Sequence, residues 1–266
     1  MSLLPSLTFM QGTGNCFAIV DQVDLVSREP VGLMADLLGQ GIPVDGLLVL
    51  SAGDSEVDIR MGIINADGSS ASMCGNGLRC VAFELHRRGI AAGRTINVAV
   101  DQQHLKARVL ESSCDKGVVW ARMPSARVES RDDHEFVDLG NLHGIIQYEE
   151  LPGELEWKQE VECRLQNNGD SLNWHAVEVC HPGLIRMKSW ERGVGPTLAC
   201  ASGATATVAA LATKGISSRC VDVHQPGGQI RVNWRGAGRQ LTNVGSVGLV
   251  SMKSEQAGRD DLAEVM

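Results

Sequence analysis

At 266 residues, 43% apolar and 21% charged, the chain can bury a sizeable core as one large domain or two of modest size. Its net charge of −8 with scattered Lys and Arg excludes a polyanion-binding surface and so a nucleic-acid partner. No apolar run reaches the ~18–20 residues of a membrane span and no secretory signal opens the sequence, so the eight cysteines are expected to be free thiols of a cytoplasmic protein, most of them buried fillers.

Short apolar runs broken by Gly, Asn, Asp and Pro dominate. In the first half, strands are predicted at Gly46–Leu50, Val57–Ile64 and Gly117–Met123, from β-branched content and partial alternation. Between them a helix is predicted over Asn76–Arg88, with Leu78, Val81, Ala82 and Leu85 at helical spacing and Gly89 as its stop. The second half repeats the pattern. Strands are predicted at Trp174–Val179, Leu184–Lys188, Gln229–Trp234 and Val244–Val250, and an Ala-rich helix at Gly203–Lys214 before Gly215. Each helix follows a Gly-rich turn that holds a cysteine, Cys74 or Cys200.

The expected architecture is α+β: two pseudo-symmetric domains, each a strand-rich, barrel-like sheet around a central helix, with the active site in the cleft between them. The halves are placed at 1–122 and 123–248. A return of about 249–258 to the first half is an option, and 254–266 reads as a loose polar tail.

A cysteine at a helix start suggests chemistry. Uncompensated N–H groups and the positive end of the dipole lower a thiol's pKa there, and neighbouring glycines make a nest for a carboxylate. Two such thiols facing one carbon suit inversion of a stereocentre, with a base on one face and an acid on the other. The weakly acidic α-proton of an amino acid would then need electrostatic stabilisation of its carbanion by the helix N-termini. The other cysteines show no metal-ligand spacing, so no metal is expected. Gly12-Thr-Gly14 precedes a strand-like run and fails as a dinucleotide loop.

The segments Gly12–Asn15, Asn65–Ser69, Met73–Cys80, Gly140–His143 and Trp190–Cys200 together resemble the signature segments of diaminopimelate epimerases, in order, over roughly residues 7 to 250. The resemblance implies a 1,1-proton transfer without pyridoxal or any other cofactor, acting on a small-molecule amino acid, and it implies a homodimer. It places the catalytic cysteines at Cys74 and Cys200, with His143 and Glu191 helping to set their protonation. Substrate binding is implied for Asn15, Asn65, Asn141, Asn173, Gly75, Asn76, Ala201, Ser202 and the pair Glu191 and Arg192. Arg192 would grip a distal carboxylate bidentately.

Four departures from the family pattern stand out: Cys16 in place of an aspartate, Leu142 in place of a proline, Ala201-Ser202 in place of Gly-Thr, and Pro196 in place of a glutamate. Three functions follow: epimerisation of LL- to meso-diaminopimelate for lysine and peptidoglycan synthesis, racemisation of another amino acid of the histidine or glutamate type, or non-catalytic amino-acid binding on the same fold.

Overall fold

The computed structural model describes residues 4–91, 93–131, 133–168 and 172–251; the expected tail at 254–266 lies outside them. The first half runs β1 (Thr8–Gly12), β2 (Asn15–Asp21), α1 (Pro30–Gly39), β3 (Gly46–Ala52), β4 (Ile59–Asn65), α2 (Gly75–Arg87), β5 (Ile96–Val100), β6 (Gln103–Ser112) and β7 (Lys116–Met123). After β8 (Arg127–Ser130) and β9 (Glu135–Asp138) the order recurs as β10 (Leu142–Tyr148), α3 (Glu154–Asn168), β11 (Asn173–His181), β12 (Leu184–Glu191), β13 (Gly195–Thr197), α4 (Ala201–Thr213), β14 (Cys220–Gln225), β15 (Gly228–Trp234) and β16 (Leu241–Leu249).

Parallel strand pairs need a crossover, and each half has two. Helix α1 joins β2 to β3 and α2 joins β4 to β5; α3 joins β10 to β11, and α4 lies between β12 and β14. Strands β1 to β7 close into an eight-stranded barrel through β16, which pairs with both β7 and β1. The sheet continues from β16 through β15, β14, β12, β11, β10 and β9 to an edge at β8.

The sequence dictates which helix goes inside. Helix α4 is built of small, uncharged residues, and Ala201 to Leu211 are all buried, as suits a helix enclosed by strands. It packs on β9, β10, β11 and β15, while α2 packs on β1, β6, β7 and β16. Helices α1 and α3 cover the outer faces instead. Leu33, Met34 and Leu37 of α1 seal against Val20, Leu47 and Val49. Trp157 and Val161 of α3 seal against Ile146, Trp174 and Ala176.

Helix α2 ends where Gly89 takes a φ of +74°, which only glycine adopts without strain. Just before that, the buried Glu84 carboxylate holds Arg87 and Arg88, each at 2.8 Å. The expectation that most cysteines are buried fillers is corrected: Cys114, Cys163, Cys180 and Cys220 are exposed, Cys16 and Cys74 are partly buried, and only Cys80 and Cys200 are fully buried. The exposed ones sit on outward-facing or loop positions that the core does not reach. No described helix is long and apolar enough to cross a membrane.

Candidate active site

Cys74 is the N-cap of α2 and Cys200 the N-cap of α4, and the two caps are built alike. Each has an extended backbone, and each sulfur accepts the N–H three residues on: Gly77 at 3.2 Å for Cys74 and Gly203 at 3.3 Å for Cys200. The first intrahelical bonds run from Leu78 N–H to Cys74 C=O and from Ala204 N–H to Cys200 C=O, both 2.9 Å. The amides of Gly75, Asn76, Ala201 and Ser202 precede those bonds, that of Asn76 reaching the Cys74 sulfur, and helix-start amides of this kind can meet an anion. The helix starts abut, since a Cβ added to Gly75 would lie 2.8 Å from Cβ of Ala201. Glycine at 75 is what permits that approach.

The first half also holds the second cysteine in place. The Asn15 side chain donates to the Ala199 carbonyl at 2.8 Å and accepts its N–H at 3.2 Å. Asn76 donates to the same carbonyl at 2.9 Å. The Cys200 N–H goes to Oε1 of Gln225 at 2.7 Å. Asn76 is itself held by Arg79, which is fully buried and also donates to Thr13 at 2.8 Å and Asn243 at 3.0 Å. None of these partners is a carboxylate, and burial lowers the guanidinium's pKa to about 10. It is a buried cation that favours a thiolate at Cys74.

Glu191, at the end of β12, serves both sulfurs. Its carboxylate accepts the Thr197 hydroxyl at 2.7 Å and is hydrogen-bonded to Cys200. Burial raises its pKa, opposed by the bonds from Thr197 and Cys200. Burial also pushes the Cys74 thiol up to about 12, with the Gly77 N–H opposing and the Glu191 charge adding to the rise. Cys200 rises well above its ordinary value by burial first and Glu191 second. The expectation that the helix starts alone lower these pKa values is thus corrected, because removing the sulfurs from water outweighs the dipole.

His143 is buried on β10 and neutral, held down to about 3 by burial. Its Nδ1 meets Nε2 of His175 at 2.9 Å, and its Nε2 meets Oδ1 of Asn141 at 3.0 Å. His175 in turn meets the Ser189 hydroxyl at 3.0 Å, and its pKa is depressed by burial and by His143. Asn141 donates to the Ser202 hydroxyl at 3.2 Å, which lies 3.5 Å from the Cys200 sulfur. Ligand atoms of His143, His175 and Cys200 all lie within 4.8 Å of one another, a spacing open to a metal ion. The two ring nitrogens instead face each other across a hydrogen bond, which occupies the lone pair a metal would need.

The remaining sequence-derived residues are Asn173, beside His143 in the sheet, Arg192 and Asn65. Asn173 donates to the Leu142 carbonyl at 3.0 Å and accepts the Arg192 N–H at 3.0 Å, which fixes the Arg192 backbone. The Arg192 side chain is exposed. Asn65 donates to Ser69 at 3.1 Å within the turn after β4. The carboxylate of Asp67 in that turn lies against Gly193, next to Arg192. The turn that holds Asn65 therefore meets the turn that holds Arg192, while the side-chain amides of Asn15, Asn76, Asn141 and Asn173 are already committed within the protein.

The family model for diaminopimelate epimerase matches residues 7–119 and 136–250. The chain belongs to the diaminopimelate epimerase family. The diaminopimelate epimerase of Xanthomonas euvesicatoria is 32% identical over 264 residues, spanning 90% of this chain and 92% of that protein. The one of Methanothermobacter thermautotrophicus is 30% identical, spanning 87% and 91%. Among solved structures, a protein of Pseudomonas aeruginosa described as a predicted epimerase matches with a TM-score of 0.72 at 15% identity, covering 96% of this chain and all of that one. A hydroxyproline epimerase from Agrobacterium vitis matches at 0.66 and 15%, covering 92% and 90%. These two likenesses concern the fold alone. The family member described here is accordingly an isomerase of the epimerase class.

Sequence reasoning missed His175, Ser189, Gln225 and Arg79 in this diaminopimelate epimerase relative. His175 had a signal: on β11 it shares a face with Asn173, two residues before it. Arg79 had one too, as a lone cation between Leu78 and Cys80 on a helix otherwise buried. Gln225 and Ser189 had none, because what recruits them lies far away in sequence.

Proposed function

We propose that this chain interconverts LL- and meso-diaminopimelate by proton transfer at Cα between Cys74 and Cys200, supplying lysine and peptidoglycan precursors. The observation that carries the reading is the abutment of two helix starts, each capped by a cysteine, around one shared carboxylate, Glu191. Membership of a family whose named relatives are diaminopimelate epimerases supports the substrate.

The chemistry follows from the groups present. The Glu191 carboxylate takes the proton of the Cys200 thiol, leaving a thiolate between the Ser202 hydroxyl and the Gly203 N–H. The thiolate removes the Cα proton from one face and the Cys74 thiol returns a proton to the other. For the opposite isomer the roles exchange, and the cation of Arg79 favours the Cys74 thiolate. The α-carboxylate binds the amides of Gly75, Asn76, Ala201 and Ser202, where developing negative charge is stabilised.

Arg192 and Asn65 recognise the distal head directly. Asn15, Asn76, Asn141 and Asn173 act by holding those elements. The halves, at 1–122 and 123–248 with β16 staying paired to β1 and β7, part to admit substrate, since Cys200 is only 2% exposed.

The test is turnover in heavy water across a panel of LL-diaminopimelate, histidine, glutamate and hydroxyproline, with and without reductant. Deuterium at Cα of diaminopimelate alone is the expected result. Exchange on another member of the panel, and not on diaminopimelate, would assign a racemase. No exchange on any would leave amino-acid binding as the function.

A further inference from the structure

The two cysteines have different surroundings, and two of the residues that make the difference, His175 and Ser189, lie outside the signature segments. Around Cys74 stand the Gly77 N–H, the cation of Arg79 and the Glu191 carboxylate. Around Cys200 stand Glu191, the Gly203 N–H and a hydroxyl that is the last member of a buried run of hydrogen bonds. Its members are Ser189, His175, His143, Asn141 and Ser202, with successive distances of 3.0, 2.9, 3.0 and 3.2 Å and a final 3.5 Å to the sulfur. Ser189, His175, His143 and Ser202 are each no more than 3% exposed.

The donors in this run have one sense. Asn141 presents its amide NH2 to Ser202 and its Oδ1 to His143. Because Oδ1 only accepts, the His143 proton must sit on Nε2. A neutral imidazole with Nε2 protonated has a lone pair on Nδ1, so His175 must donate to it from its own Nε2. The His175 Nδ1 is then an acceptor, and the Ser189 hydroxyl donates to it. At the other end Ser202 accepts from Asn141, which leaves its own proton to point at the Cys200 sulfur.

We propose that Ser189, His175, His143, Asn141 and Ser202 form a one-way run of donors ending on Cys200, its sense fixed by the Asn141 amide, and that His175 is the positioning residue that sustains it. The run favours the thiolate of Cys200, because every member donates toward the sulfur and adjacent bonds polarise one another. Hydroxyls and imidazoles could run either way by moving protons, so the fixed element is the Asn141 amide. His175 supports it by supplying the donor that keeps the His143 proton on Nε2. The titratable groups around the sulfur are Glu191 from β12 and the neutral rings of His143 from β10 and His175 from β11, each with a nitrogen within 4.8 Å of it; His175 also faces His143 and packs beneath Gly203 of α4. The proposal rests on the two-thiol reading for its purpose, though its geometry does not depend on the substrate.

The experiment uses the full-length protein and follows methyl methanethiosulfonate modification of Cys200 and Cys74 by peptide mass spectrometry from pH 6 to 10. In His175→Leu the Cys200 profile should move up by about one pH unit, while the Cys74 profile stays put. His175→Gln, whose amide NH2 can donate to His143, should restore the Cys200 profile. Ser189→Ala removes only the far donor, leaves the core packing intact and should move Cys200 the same way by a smaller amount. An unmoved Cys200 profile in His175→Leu, or in Ser189→Ala should the leucine variant not fold, overturns the proposal. So does an equal shift of both cysteines. A shift confined to Cys200 in a protein that turns over no diaminopimelate would keep the donor run and remove the substrate assignment.

Discussion

Replacing Asn15 with alanine tests whether it holds Cys200 in place or touches substrate. Asn15 is 5% exposed and makes two bonds to Ala199, the residue before Cys200. The Ala199 carbonyl keeps a donor in the variant, because Asn76 also reaches it at 2.9 Å. The Ala199 N–H loses its Asn15 acceptor, and an unpaired buried donor costs about 1–3 kcal/mol. Released on one side, the peptide moves and takes the sulfur with it; a displacement of ~1 Å at a reacting group costs ~100-fold in rate. Expected, therefore, are a urea-unfolding stability lower by about 1–3 kcal/mol, a kcat lower by roughly 10–100-fold for both isomers, and a KM close to the parent value. Steady-state kinetics in both directions with matched denaturation curves measure all three. A raised KM with unchanged kcat would refute the holding role and make Asn15 a substrate ligand.

Gly75→Ala should drive the two helix starts apart, since the added methyl meets Ala201 at 2.8 Å; the expected cost is about 1–3 kcal/mol of stability, with kcat reduced, and parental kinetics would contradict the abutment. Glu191→Gln removes the acceptor for the Cys200 proton, so kcat/KM near neutral pH should fall ~100-fold or more and the pH–rate profile should move alkaline; an unmoved profile excludes the role. Acid should destabilise the fold through His143 and His175, whose pKa values are held below the ordinary 6.5, His143 at about 3. Below 6.5 the unfolded chain binds protons that the native state refuses, so stability falls with pH from there toward 3. Denaturation at pH 7.5 and 5 measures this, and His175→Gln should flatten the difference; an equal slope in that variant would contradict it.

Much of the frame was legible because it depends on local pattern. Helix α2 was expected at Asn76–Arg88 and runs Gly75–Arg87; α4 was expected from Gly203 and starts at Ala201. The shift arises because Cys200 itself is the cap and takes the Gly203 N–H, drawing Ala201 and Ser202 into the first turn. Helices α1 and α3 were not foreseen. In α3 only a narrow stripe, Trp157, Val161 and Leu165, meets the sheet, and its surroundings are polar.

At the site, the cysteines were readable from their glycine-rich turns. What the asparagines bind was not readable: Asn15 and Asn76 meet Ala199 across 184 and 123 positions, a distance no local pattern spans. The direction of the thiol pKa values was misread for a related reason. A helix start is visible in sequence, but the depth at which it is buried depends on strands elsewhere.

β16 is a stave of one cask and the first plank of the open sheet beside it. It zips the first barrel shut against β1 and β7 and also opens the second sheet through β15. A chain severed after residue 122 would leave an amino-terminal fragment with two raw edges, ready to capture strands from its neighbours. The repeat visible in the sequence is therefore not a pair of separable modules: a polypeptide of this design must be synthesised through β16, the last of its described strands, before its first barrel can close.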